Sequence, residues 1–157
     1  MPRIGVTGHV RLAAGTAELV YAALTATLAD RGNGPLHGVT CLADGADQLF
    51  ARAVAALGGT YEVVLPATDY RTRVADPKSF DDLLGKAIRV DYMPFPESGP
   101  AAYFAASAEL LGRVDHLVAV WDGAPSEAVG STATVVDAAR ARGLPVTVLW
   151  PAGARRA

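Results

Sequence analysis

The sequence predicts an α/β protein: a single-domain, Rossmann-like three-layer αβα sandwich around a mainly parallel sheet. Three observations carry this. Short apolar runs of strand character alternate with longer helical stretches, which implies βαβ units. The run Val114 to Trp121 is apolar almost throughout, as a strand buried on both faces should be. Two glycine-rich turns, Gly5-Val6-Thr7-Gly8-His9-Val10-Arg11 and Trp121-Asp122-Gly123-Ala124-Pro125 with Gly130-Ser131-Thr132, fall at expected strand-to-helix junctions. Such junctions present free backbone N–H groups and the positive end of a helix dipole.

Arg3 to Thr7 reads as the first strand. Gly15 to Arg31 reads as a helix with Leu19, Ala23, Ala26 and Leu28 facing inward, stopped at Gly32-Asn33-Gly34-Pro35. Val39 to Leu42 is a short strand, Ala46 to Leu57 a helix ended by Gly58-Gly59, and Thr60 to Leu65 a strand halted by Pro66. Residues 67–100 break the rhythm as an irregular insert with a short helix from Asp81 to Ile88. Long inserts in compact domains often carry function, and this one reads as a lid or wall over a site. A helix from Ala101 to Arg113, the strand Val114 to Trp121, a helix from Thr132 to Arg142 and a strand from Leu144 to Trp150 complete residues 1–151 as the domain. Residues 152–157 read as a frayed tail.

The chain has 157 residues, 51% hydrophobic and 19% charged, which suits a compact core better than disorder. Its net charge of -2 argues against broad neutralisation of nucleic-acid phosphates. No apolar stretch is long enough to span a membrane. The single cysteine, Cys41, excludes an internal disulfide and a zinc cluster and suits a reducing cytoplasm. No metal-ligand spacing is present, and His37 and His116 read as surface residues.

Each candidate motif has a binding reading and a plainer one. In the first turn, Gly8 lets a ligand approach the backbone, Thr7 offers a hydroxyl, and His9 and Arg11 place a donor and a positive charge; the alternative is an ordinary turn. In this reading Gly8→Val blocks ligand and leaves the fold intact. Asp44 caps the following helix, and Gly45 and Ala46 form a second pocket wall or serve only the cap. Asp122, Gly123, Gly130, Ser131 and Thr132 form a second anion site or simple caps. Arg71 and Arg73 clamp a phosphate or lie on a solvated face.

Together these stretches resemble the SLOG superfamily of Rossmann-like nucleotide-binding proteins, which includes Lonely Guy phosphoribohydrolases, molybdenum-cofactor carriers and the Rossmann part of DprA. The resemblance rests on Gly5 to His9, on Leu42-Ala43-Asp44-Gly45-Ala46-Asp47, on Val64-Leu65-Pro66 with Tyr70, and on Asp115 to Gly123 with Gly130-Ser131-Thr132-Ala133. It implies a pocket at the carboxyl ends of the strands, a nucleotide or other phosphorylated small-molecule ligand, and a homodimer. It makes a sensor or carrier the first expectation, with a nucleoside 5′-monophosphate phosphoribohydrolase or a molybdenum-cofactor carrier as alternatives. The Lonely Guy motif P-G-G-x-G-T-x-x-E places its acid at Val135 here, which has no acid–base chemistry; Asp44, Asp122 or Glu127 would have to supply a carboxylate. DNA loading is not expected, because the chain is acidic overall and lacks the further domains of DprA.

Overall fold

The computed structural model describes residues 2–30, 34–128 and 130–157. Arg31, Gly32 and Asn33 of the expected helix end and turn lie outside the described residues. The strands are β1 (Arg3–Gly8), β2 (His37–Thr40), β3 (Thr60–Leu65), β4 (Arg89–Tyr92), β5 (His116–Val120) and β6 (Val146–Leu149). The helices are α1 (Thr16–Ala29), α2 (Ala46–Ala56), α3 (Pro77–Lys86), α4 (Pro100–Gly112) and α5 (Thr132–Ala141). All neighbouring strands run parallel, in the order β4-β3-β2-β1-β5-β6.

The direction of winding reverses between β1 and β5, so the sheet is doubly wound with a switch point there. One core cluster joins Val20, Leu24 and Leu28 of α1, Phe50 and Val54 of α2, and Phe80 and Leu83 of α3 to one sheet face. The other joins Ala106, Leu110 and Leu111 of α4 and Val135 and Ala139 of α5 to Val39, Val64 and Leu117. The αβα layering is as predicted, and β5 is fully buried from Leu117 to Val120.

Several expectations are corrected. Leu28 is buried as expected, but the rest of the buried stripe of α1 is Val20 and Leu24, one step around from Leu19 and Ala23; Leu19 is 39% exposed. The insert contains β4, whose Arg-Val-Asp-Tyr sequence hides it: an edge strand carries charge on its open side. Within the insert, α3 starts earlier than predicted, where Asp76 Oδ1 accepts the Ser79 N–H at 3.1 Å. The tail is pinned, not frayed. Ala13 donates to the Arg155 carbonyl, Ala157 donates to that of Arg11, and Arg155 N–H donates to Thr16 Oγ1 at 3.0 Å.

His37 is buried, not on the surface. Its Nε2 meets Glu62 Oε2 at 2.9 Å and its Nδ1 meets Thr60 Oγ1 at 2.8 Å. Glu62 also accepts from Arg3 at 2.7 Å and from Arg113 at 3.2 Å, so one carboxylate ties together β1, β2, β3 and the end of α4. Burial pushes its pKa up, but the His37 hydrogen bond and the two guanidinium groups outweigh this and hold it below the ordinary value. His116 is half-buried and meets Thr147 Oγ1 at 2.7 Å.

Removing Glu62 strands the largely buried Arg113 guanidinium and leaves the buried His37 ring without its carboxylate partner. Glu62→Ala is expected to cost about 3–5 kcal/mol in urea unfolding at neutral pH. The depressed pKa means that the native contribution is present above the ordinary glutamate pKa and lost as pH falls through the folded value. The gap between native protein and variant therefore narrows in acid, and an unchanged gap refutes this assignment.

Candidate functional site

The cleft lies at the carboxyl ends of the strands, around the switch point, and it has two chambers. The first, about 430 Å³, is lined by the end of β1, the β2–α2 loop, the insert, α4 and α5. The second, about 440 Å³, lies beyond the first turn, between the start of α5 and the C-terminal tail. Gly8, Val10, Gly130 and Ser131 line both, so the chambers meet where β1 and α5 approach each other.

Backbone closeness defines this junction. His9 N–H donates to the Val120 carbonyl at 3.1 Å, and Ala46 N–H donates to the His9 carbonyl at 3.2 Å. A Cβ on Gly8 would lie 2.4 Å from Ala46 Cβ and 2.8 Å from Val120 Cβ. Gly45, at φ 77°, has the carbonyls of His9 and Val10 where its Cβ would be, at 2.6 and 2.4 Å. Gly8 is therefore required by packing, and the expectation that Gly8→Val leaves the fold intact is corrected. Gly45 and Ala46 support the first turn from behind and do not line either chamber.

The predicted residues divide. Thr7, Asp44 and Arg73 line the first chamber; His9, Arg11 and Thr132 line the second; Gly8, Gly130 and Ser131 serve both. Arg71 points away and pairs with Asp81 through two bonds of 2.9 Å. Asp122 and Gly123 flank the second chamber without lining it. Asp122 Oδ2 lies 3.5 Å from Arg156 Nη1, and Asp122 Oδ1 accepts the Ala124 N–H.

Asp44 does not cap α2. Gly45 occupies the cap position, and Asp44 Oδ2 accepts the Ala75 N–H at 2.9 Å, fastening the insert to the β2–α2 loop. Ser131 does cap α5, through the Thr134 N–H at 3.3 Å. His9 is buried edge-on to Trp150, with ring centroids 5.4 Å apart, and its Nε2 accepts the Asp122 N–H. Burial and the nearby Arg156 lower its pKa, with Asp122 opposing, so the ring is neutral at pH 7. The charges at the second chamber therefore come from Arg11 and Arg156 and not from His9.

Two site residues escaped the sequence reading. Arg156 reads as tail, and only the pairing of the tail with the Arg11–Ala13 segment brings it to the chamber. Asp47 reads as a first-turn helix residue suited to the dipole. It is buried, lines the first chamber, and accepts the Ala43 N–H through Oδ2 at 3.2 Å. Burial pushes its pKa up to about 7, only partly offset by that bond. Loss of solvent, and then the Asp47 charge, also push up the Cys41 thiol and the Tyr70 hydroxyl on the same chamber wall. Val135, at the position that the Lonely Guy motif gives to its acid, lines this chamber too.

No family model matches the chain, and no curated protein matches it in sequence. Solved structures do match in fold. DprA from Streptococcus pneumoniae superposes with a TM-score of 0.70 at 18% identity, covering 98% of this chain and 52% of that one. DprA from Helicobacter pylori, described for its single-stranded DNA binding mode, gives 0.67 at 15%, covering 96% and 66%. The protein TM1055 gives 0.61 at 22%, covering 93% and 72%.

Two predictions test the geometry. Gly8→Ala lowers thermal stability by about 1–3 kcal/mol, because Ala46 is fixed at the start of α2 and Val120 in β5, and neither has a flexible side chain to move aside. A variant as stable as the native protein would break the packing argument. Asp47 predicts a pH signature. Between about pH 4 and 7 the folded chain holds a proton that the unfolded chain has lost, so stability falls as pH rises through that window and levels off above it. Asp47→Asn should therefore melt higher than the native protein at pH 7.5, with the gap closing toward pH 4. A parallel pair of melting curves would exclude a buried titrating Asp47. In fold, the chain shares the Rossmann-like α/β architecture of these solved structures.

Proposed function

We propose that the protein binds a nucleotide or a related phosphorylated small molecule across the two chambers and acts as a sensor or carrier. The observation that carries this is the meeting of both chambers at Gly8 and the first turn of α5, at the switch point of a doubly wound sheet. Ligands of such sheets sit there, with anions at the helix N-terminus. The first chamber, between Tyr70, Tyr103 and the aliphatic side chains of α4 and α5, suits a planar base. The second holds Ser131, Thr132, Arg11 and Arg156, and suits phosphate. Val135 in place of an acid favours binding over N-glycoside cleavage. We further propose a homodimer, with the exposed face of α4 as its contact, and a cytoplasmic location.

The test is a thermal-shift screen against nucleoside mono-, di- and triphosphates, free phosphate and a short single-stranded oligonucleotide, with released base assayed in the same wells. A shift with a mononucleotide and no released base is expected. Released base would make the protein a hydrolase, and a shift with the oligonucleotide alone would replace the small ligand with single-stranded DNA. Thr132→Ala should weaken nucleotide binding by about 1–2 kcal/mol. An effect on stability alone would leave Thr132 a helix-end residue.

A further inference from the structure

The floor of the first chamber contains a polar group that the fold leaves half used. Asp47 sits in the first turn of α2 and is only 7% exposed. Its Oδ2 accepts the Ala43 N–H, while its Oδ1 meets no hydrogen-bonding partner among the described residues. A carboxyl group so deep in the protein normally has both oxygens satisfied. Asp47 lines the cavity, and its unpartnered Oδ1 is not fully shut off from open space, as Asp91 Oδ2 is, so a ligand in the cavity can reach it.

The surroundings define the kind of ligand. Tyr70 and Tyr103 stand edge to face with centroids 6.4 Å apart, and Val6, Ala106, Leu110 and Val135 supply apolar walls. A flat, largely apolar ring with a hydrogen-bond donor on its edge satisfies both the walls and the carboxyl oxygen. Deepening the nucleotide reading and resting on it, we propose that Asp47 reads an amino-bearing nucleobase by accepting a hydrogen bond from its exocyclic amine at Oδ1.

Protonation of Asp47 governs that contact, because a protonated Oδ1 cannot accept from the amine as strongly as a carboxylate does. The other titratable or charged groups facing this chamber are Cys41 beside β2, Asp44 in the β2–α2 loop, Tyr70 and Arg73 of the insert, and Tyr103 of α4. Cys41 and Tyr70 are pushed up and keep their protons near neutrality. Asp44 is engaged with Ala75, and Arg73 lies 3.9 Å from Asp69. The group whose charge changes near neutral pH is thus Asp47, with its pKa of about 7.

The experiment is calorimetric titration of the full chain with adenosine and guanosine 5′-monophosphates and with purine riboside 5′-monophosphate, which lacks the amine. It is run at about pH 5.5 and about pH 8. Taking the ratio of amine-bearing to amine-free affinity cancels titration of the phosphate, which all three share. We expect one amine-bearing nucleotide to bind about tenfold tighter than the analogue at the higher pH. That advantage should shrink toward one at the lower pH and lose its pH dependence in Asp47→Asn. A ratio independent of pH for both nucleotides in the native protein overturns the role of Asp47 while leaving nucleotide binding standing. No binding of any of the three at either pH overturns the nucleotide reading, and this inference with it. The native-protein comparison needs no variant, so it decides the matter even if Asp47→Asn folds poorly.

Discussion

The structure depends on three backbones coming together at Gly8. The end of β1, the end of β5 and the N-terminus of α2 meet with no room for a side chain between them. The hydrogen bonds of His9 to Val120 and of Ala46 to His9 close the contact from both sides. This one approach fixes the position of the first turn relative to α2. It holds β1 and β5 in register at the switch point, and it leaves Val10 and Arg11 projecting into the cleft. Glycine is therefore needed here first for construction; any ligand benefits from the same bare backbone afterwards.

The two ends of the sheet divide the labour. At the amino end, Glu62 collects Arg3, His37 and Arg113 into a knot that joins three strands and the end of α4 in addition to their ladder bonds and core packing. At the carboxyl end the polar groups border the two chambers. Arg11 and Arg156 border the second chamber, while Asp47 keeps an oxygen open in the first. Buried polar groups that serve only the fold tend toward complete pairing, as at Glu62, because an unmade bond in a low-dielectric interior is costly.

Much of this was legible in the sequence, and the exceptions have physical causes. Strand and helix alternation gave the layers, and the apolar run at β5 announced a central strand. β4 was missed because an exposed edge strand with Arg89 and Asp91 has no apolar signature. The face of α1 was placed correctly at Leu28 but not at Leu19 and Ala26, because alanines on several faces blur the period; Val20 and Leu24 are the buried positions instead. His37 looked like a surface residue because its partner Glu62 lies 25 positions away. Arg156 was invisible for the same reason: nothing local says that a short tail will pair with the segment after β1. Of the residues expected to bind, the turn and the start of α5 do come together, whereas Arg71 was already committed to Asp81.

Asp47 is where sequence logic and structure diverge most usefully. A carboxylate in the first turn of a helix is ordinary, since it suits the dipole there. Buried beside Cys41 and Tyr70, however, it sacrifices stability at neutral pH that an uncharged residue would keep. Natural proteins retain such costs mainly where function needs them. In the same chamber, Val135 stands where the Lonely Guy motif has its acid, on α5. The buried carboxyl group of this chamber thus sits on α2 and not on α5, on the opposite face of the sheet from Val135.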